Sequence, residues 1–482
     1  MSTRGHHAAL ARVPVKPVTW VALVTGALST ACVGPNYQRP DDLVTVEQYR
    51  AVLEPQTAES LADLPWTSTF NDPELVEWIR TALERNLDLQ IAAARVEEFR
   101  AQHRIARSAL GPQISGAIST SPSTLGDEQA SYSAGIGLRW EIDLFGRLRR
   151  GNESARAQLL ATEDAARGVM NSLVASVATT WFELRELDEE VQIITDTVKS
   201  QEESLALVRS LSRSGVASGT EEQQALGQLA TTRAQLPLAE QRREQTENTL
   251  RFLIGDPPDK IPRIGSPSTF YIPDDLPAGL PAQLLSRRPD VRQAENELHA
   301  ATAQIGVALG SRFPYLSIGV TSFLGIVSPE LSHLFDGDNP AQDLFSIGPF
   351  AELPIFQSGG GQGGVDAARA RAQQAELSYR RAVLQALREV SNALVSTDKI
   401  REAIRQNAIR TDASREVLRL QRMRYRAGVV SYLEVLDAER QLFSAEIDDA
   451  RSRLDQLRAY VELYRALGGG WSEDEIRRLL EQ

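Results

Sequence analysis

Catalysis needs a nucleophile, a base or a ligand set, and this sequence holds few of each. Its only cysteine, Cys32, rules out an internal disulfide and any multi-cysteine metal site. Of the five histidines, His6 and His7 lie near the start and His103, His299 and His333 are scattered, so no metal site or catalytic triad can be assembled from them. An enzyme is the weakest reading, with neither cofactor nor metal expected. Two acids stand out. Glu434 and Asp437 are three apart just after Gly428, so on a helix they share one face. Such a pair attracts cations, or else it is an ordinary solvated pair in a first helical turn, where the helix dipole favours acids. Gly359-Gly-Gly-Gln-Gly-Gly364 has the glycines of a phosphate loop but lacks the Gly-Lys-Ser/Thr ending, and reads as a flexible joint.

Cys32 is placed for a different chemistry. Arg4, Arg12 and Lys16 precede the uncharged run Val18-Thr-Trp-Val-Ala-Leu-Val-Thr-Gly-Ala-Leu28, and Ser29-Thr30-Ala31 lead into the cysteine. A basic start, a short apolar run and small residues make a secretory leader, residues 1–31. The run falls short of the roughly 20 residues of a transmembrane helix. With the only thiol at the cleavage point, the leader resembles a bacterial lipoprotein signal, in which that cysteine is lipidated. The alternative is ordinary cleavage beside a free thiol. Ser29 departs from the pattern, since Leu28 sits one place early; Val33 in place of Asp favours the outer membrane.

The chain has 482 residues, which as a prior allows about three domains. Apolar residues make up 42% but aromatics only 6%, the mix of long helices. Net charge is -12, and Arg4, Arg12 and Lys16 leave with the leader to give -15, against the basic field that a nucleic-acid surface needs.

The sequence also repeats itself. Arg213-Ser-Gly215-Val-Ala-Ser218 matches Arg426-Ala-Gly428-Val-Val-Ser431 at an offset of 213, which also pairs Glu221 with Glu434, Ala225 with Ala438 and Gly255 with Gly468. Upstream, Ile136-Gly137 matches Ile347-Gly348 at 211, and Pro112 matches Pro314 at 202. A duplication follows. After an N-terminal segment, 32–85, repeat 1 spans 86–280: a helix, a β-hairpin over 113–142, a long helix over 146–214, a helix over 217–254 and a linker. Repeat 2 spans 281–468, with a helix over 288–312, a hairpin over 315–355, a long helix over 362–426 and a helix over 430–467. A tail, 469–482, closes the chain.

The hairpins and rods have distinct signatures. Tyr132, Ala134, Ile136, Leu138, Trp140 and Ile142 alternate with small and polar residues, which predicts a strand with one apolar face. In repeat 2 the same pattern is interrupted by Pro349, which has no ladder donor. From Gly146 to Ser214 there is no proline, and Met170, Val177, Leu184 and Val191 with Leu173, Thr180, Leu187 and Ile194 keep heptad spacing. A rod of that length spans about 100 Å. Gly215 and Gly428 stand where each rod must reverse. Four one-sided strands cannot close alone in lipid, where about eight strands are the minimum for a barrel. Several chains must therefore share one barrel.

Four motifs carry a family resemblance: Cys32-Val-Gly-Pro-Asn-Tyr-Gln-Arg-Pro40, Trp140-Glu-Ile-Asp-Leu-Phe-Gly-Arg147, Leu285-Ser-Arg-Arg-Pro-Asp-Val291 with Ala294-Glu295, and Tyr425-Arg-Ala-Gly-Val-Val-Ser-Tyr-Leu-Glu-Val-Leu-Asp-Ala438. In order and together they resemble the TolC-like outer-membrane factors of tripartite efflux systems, in their lipoprotein branch. The resemblance implies a mixed fold, an all-α coiled-coil barrel plus a transmembrane β-barrel. It implies a homotrimer with four strands per chain and twelve in the barrel, long periplasmic helices, and an equatorial belt from both termini and the linker near 256–281. The implied partners are outer-membrane lipid, a periplasmic adaptor (membrane fusion) protein docking at the Gly215 and Gly428 turns, and an inner-membrane RND-type pump driven by protons. No nucleic acid is involved. In such proteins the acids matching Glu434 and Asp437 face the constriction, and the tyrosine matching Tyr425 helps hold the closed state.

Repeat 1 keeps Glu221 but has Gln224 and Ser212 where repeat 2 has Asp437 and Tyr425, so the periplasmic gate is assigned to repeat 2 alone. Val429 and Val430 stand where some members have a basic residue, which leaves Arg424 or Arg426 for a lock. Trp140 and Phe145 are read as an aromatic girdle, and Arg287-Arg288-Pro289-Asp290 as a helix start. The expected function is a passive exit duct for small molecules such as drugs. A duct for type I protein secretion and a periplasmic coiled-coil lipoprotein without a pore are the alternatives. With three methionines and no His-rich tract, the sequence does not name a metal cargo.

Overall fold

The computed structural model describes residues 33–40, 66–70, 72–121, 131–263, 284–312, 315–328, 330–334, 342–352 and 355–470. The leader, Cys32, most of the linker near 256–281 and the tail from 471 lie outside them. In chain order the elements are α1 (Trp66–Thr69), α2 (Pro73–Arg85), α3 (Leu87–Ser108), β1 (Gln113–Ser121), β2 (Ser131–Arg139), α4 (Arg147–Arg213), α5 (Gly219–Leu253), α6 (Leu284–Arg287), α7 (Pro289–Gly310), β3 (Tyr315–Ser328), a 3-10 turn (Ser332–Leu334), β4 (Gln342–Glu352), α8 (Gly360–Arg426) and α9 (Tyr432–Ala466). No described helix is long and apolar enough to cross a membrane.

Two long helices have 67 residues each, about 100 Å at 1.5 Å per residue, and the two that follow have 35 each. Corresponding helices start 213 residues apart, at Arg147 and Gly360 and at Gly219 and Tyr432. Their ends share one device. The N–H of Val216 reaches the carbonyl of Leu211 and that of Gly215 the carbonyl of Ser212; Val429 and Gly428 do the same to Arg424 and Tyr425. Both sets close the rod with a Schellman turn, whose glycine takes a positive φ, +77° at Gly215 and +73° at Gly428. Ser218 and Glu221 then start α5 with a reciprocal capping box. At Ser431 the side chain makes no cap bond.

The chain divides into two compact units. One takes the described residues of Met1–Gln38, Phe99–Leu159 and Glu297–Glu376 and holds the strands. They form one antiparallel sheet in the order β1-β2-β3-β4. The link between the two hairpins is the β2–β3 ladder, which pairs Ile136 with Leu324. Pro349 lies within β4, opposite Val320, and β4 is an edge strand, where a missing donor is tolerated.

The other unit takes the described residues of Arg39–Glu98, Leu160–Asn296 and Leu377–Gln482. Asp72 caps α2 with one carboxylate oxygen, bonding the N–H of Glu74 and Leu75, and accepts the buried indole N–H of Trp181 at 2.9 Å with the other. Phe70 packs edge-on against Tyr464, with ring centroids 5.4 Å apart. At Gly255 a side chain would put its Cβ 2.6 Å from the carbonyl oxygen of Arg85, and at Gly468 3.2 Å from that of Arg287. The two contacts are the same contact in each half, since Arg85 and Arg287 are 202 apart and the glycines 213 apart.

Candidate functional site

The sheet sorts its side chains by alternation. In register, Ile114 faces Leu138; Gly116, Ile136, Leu324 and Phe345 make a row; and Ile118, Ala134 and Ile326 make the next. Ile114, Ile118, Ile136, Leu324 and Phe345 are 59% to 73% exposed, so these apolar side chains are left largely uncovered by the described residues. The opposite face carries Ser115 with Gly137, Ala117 with Gly135 and Gly325, and Ser119 with Ser133, whose hydroxyls are 2.7 Å apart. Among the described residues β1 and β4 each pair on one side only. At the end of the hairpin, Trp140 is 40% exposed and donates its indole N–H to the carbonyl of Leu110.

Cys32 lies outside the described residues, but the strap that follows is held fast. The N–H of Val33 donates to the carbonyl of Phe145. Arg150, buried, donates to the Asn36 side chain at 2.6 Å and to Glu153 at 2.7 Å. Glu153 also meets His299 Nε2 at 2.9 Å, and the His299 ring stacks on Tyr37 with centroids 4.7 Å apart. Burial pushes the Glu153 carboxyl up, but its bonds from His299 and Arg150 outweigh that and hold it below the ordinary value. Gly34, at φ +114°, lets the strap backbone touch Gly306; a Cβ there would lie 2.6 Å from the Gly306 Cα.

Around the two rod-end turns, the structure places the singled-out residues apart. Glu434 and Asp437 are exposed in the first turns of α9, and Asp437 accepts a bond from Gln441 at 2.6 Å. Tyr425 is on the buried side, 9% exposed, edge-on to Tyr432 within a cluster that includes Leu205, Val208 and Leu436. Its hydroxyl has no hydrogen-bond partner among the described residues. Burial first, then the charge of Glu221, raises its pKa above the ordinary phenol value, so it stays a donor. Gly215 and Gly428 have open space on the side where a Cβ would point.

Two residues here, Glu221 and Glu439, have roles that the sequence did not assign to them. Glu221 caps its own helix and also accepts the backbone N–H of Tyr432 at 3.3 Å, so it serves the start of α9 that Ser431 leaves uncapped. Glu439, 3% exposed, accepts Arg422 Nη2 at 2.8 Å and Ser204 Oγ at 2.9 Å. The signal for Glu221 was visible as Ser-x-x-Glu. For Glu439 there was none, because a charge on a helix is by default solvated.

Arg288, read as part of a helix start, turns out to be a clamp. It lies between α6 and α7, 4% exposed, and bonds Asp290 through Nε and Nη2, Glu389 through Nη2 at 2.8 Å and the carbonyl of Ala466 through Nη1 at 2.9 Å. In the other half Asn86, 202 residues earlier, makes the matching bond to the carbonyl of Leu253 at 2.9 Å. Burial raises the Glu389 carboxyl, yet bonds from Gln385 and Arg288 prevail and hold it below the usual range. No group of three or more His, Cys, Asp or Glu able to hold a metal occurs among the described residues.

Comparison with known proteins gives these features a frame. The family described as outer membrane efflux protein matches residues 78–256 and 280–469. The solvent efflux pump outer membrane protein SrpC of Pseudomonas putida is 36% identical over 413 residues, covering 84% of this chain and 87% of that protein. The cation efflux system protein CusC of Escherichia coli O6:H1 is 33% identical over 460 residues, covering 93% of this chain and 97% of its own. Among solved structures, the open state of the Neisseria gonorrhoeae MtrE outer membrane channel matches with a TM-score of 0.79 and 32% identity, over 91% of this chain and 98% of that one.

Proposed function

This chain belongs to the outer membrane efflux protein family, and from that premise we propose how it forms the outer-membrane exit duct of a tripartite efflux pump. Three copies join their sheets edge to edge into a twelve-stranded barrel. The observation that carries this is the four-stranded sheet with Ile114, Ile118, Ile136, Leu324 and Phe345 exposed on one face and with β1 and β4 each paired on one side only among the described residues. In lipid every backbone donor and acceptor must be paired, so such edges persist only if another copy covers them. The opposite face, which carries Ser115, Ser119 and Ser133, then borders the water-filled path.

The long helices continue that path through the periplasm as a shared helical barrel, and the equal lengths of their two sets support an ancestral duplication. The Gly215 and Gly428 turns dock a periplasmic adaptor, which connects the duct to an RND-type pump that supplies the energy. Glu434 and Asp437, repeated by threefold symmetry, form the acidic ring of the gate, and Tyr425 closes it through its unpartnered hydroxyl. Cys32 carries lipid, and the strap that follows it is tied down where the N–H of Val33 donates to the carbonyl of Phe145.

The cargo is small molecules. Relatives named for solvent and for cation efflux match at similar identity, so neither name passes to this chain. Deleting the gene and restoring it, across antibiotics, detergents, dyes and metal salts, tests the reading. Sensitivity of the deletion strain that the restored gene relieves supports it; an unaltered strain together with a monomeric mass for the detergent-extracted protein contradicts it.

A further inference from the structure

Within the second unit a buried carboxyl oxygen has no hydrogen-bond partner among the described residues. Glu186 on α4 is 9% exposed, and one turn on lies Glu190, 4% exposed. Glu190 Oε1 takes both nearby guanidiniums, Arg242 of α5 at 2.9 Å and Arg451 of α9 at 3.3 Å. Glu186 Oε1 and Glu190 Oε2 are buried with no hydrogen-bond partner among the described residues. The other charges at the site are already engaged: Arg458 of α9 pairs with Glu183 of α4 at 3.0 Å and approaches Asp455 of α9 at 3.8 Å. A cavity of about 410 Å³ adjoins Glu186, with Thr246 and Thr249 of α5 in its wall.

Three arginines thus face four carboxyls, and Glu186 is the one left over. A buried carboxylate without a donor is costly, and the cheapest remedy is to keep its proton. We propose that Glu186 is a proton-binding site that is occupied at near-neutral pH, and that its ionisation loosens the junction of α4, α5 and α9. Burial first, then the charge of Glu190, pushes its carboxyl up to about 7, against the pull of Arg451, Arg242 and Arg458. Once ionised, Glu186 must draw Arg242 or Arg451 away from Glu190 or admit water from the cavity. Either event weakens the packing of three helices. This reading stands on the helix junction alone and does not depend on the pore.

The direction of the pH effect follows from linkage. The folded-state pKa of Glu186 is raised, so between the ordinary carboxylate value and about 7 the native state holds a proton that the unfolded chain has lost. Stability from this group therefore falls as pH rises through that window. Glu186→Gln fixes the neutral form and removes the fall.

The test is difference infrared spectroscopy of the full chain between about pH 6 and about pH 8.5. The wild type should show the carbonyl band of a protonated carboxyl that disappears on raising the pH, and Glu186→Gln should lack it. In Glu190→Gln, which frees Arg242 and Arg451 to pair with Glu186, the band should already be gone at the lower pH. Identical difference spectra for wild type and Glu186→Gln would overturn the proton site. Thermal midpoints over the same range test the loosening: the advantage of Glu186→Gln over wild type should grow with pH, and a constant difference would overturn it.

Discussion

Arg422 Nη2 lies 2.8 Å from Glu439 Oε1 and 2.5 Å from Ser200 Oγ, so one guanidinium ties α8 to α9 and to α4. The pair is lopsided. The Glu439 side chain is 3% exposed and that of Arg422 32%. Removing Arg422 strands a charge in the interior, and Arg422→Ala is expected to cost about 3 kcal/mol. Glu439→Gln leaves an arginine that can turn to water and should cost only about 1 kcal/mol. Denaturant unfolding of the two variants checks the order, and equal losses would contradict it.

Glu434 and Asp437 are exposed, so their replacement should leave the fold intact and act on ions. Bilayer recordings of Glu434→Ala with Asp437→Ala should show weaker preference for cations. The difference should be largest in dilute salt, because at about 0.1 M charges more than roughly 10 Å apart are screened. Unchanged selectivity would remove these acids from the gate.

Tyr425→Phe separates the ring from the hydroxyl. The ring packs on Tyr432 whereas the hydroxyl bonds nothing described in its own chain. Stability should change by about 0.5 kcal/mol or less, while channel openings should become more frequent if the hydroxyl holds a closed state between chains. A large stability loss without a change in openings would assign Tyr425 to packing alone.

Two glycines with similar positive φ should respond differently to alanine. Gly215, with open space around it, should lose about 1 kcal/mol from backbone strain. Gly255→Ala adds a contact at 2.6 Å to the backbone of Arg85 and should lose about 3 kcal/mol, since the chain must move. Thermal unfolding of both variants decides.

Much of the sheet was legible because a strand's period is fixed by the backbone. From Tyr132 to Leu138 alternation names the outward face without any knowledge of partners, and the partners then add rows such as Ile136 with Leu324 that no local pattern contains. The alternation runs on to Ile142 but β2 ends at Arg139, opposite Gln113, where Pro112 stops the partner strand. The helix ends were legible through glycine, since Gly215 and Gly428 mark turns that few other residues tolerate. What pattern could not reach were the polar groups whose partners are remote in sequence. Arg288 looks like any arginine before a proline until the carbonyl of Ala466, 178 residues on, comes within 2.9 Å. Tyr425 carries the reverse lesson: the same residue is a core ring and a stranded hydroxyl, and only coordinates separate the two.

An outer-membrane duct requires one side of the sheet to meet lipid and the other to meet water. In a chain with Cys32→Ser, which has no other thiol, single cysteines at Ile136 and Ser133 can be spin-labelled in liposomes and challenged with oxygen, which concentrates in lipid, and with a water-soluble relaxation agent. The duct predicts that the label at 136 responds to oxygen and the label at 133 to the water-soluble agent. Equal access of the water-soluble agent to both would mean that the apolar face does not border a membrane, and the duct would have to be given up.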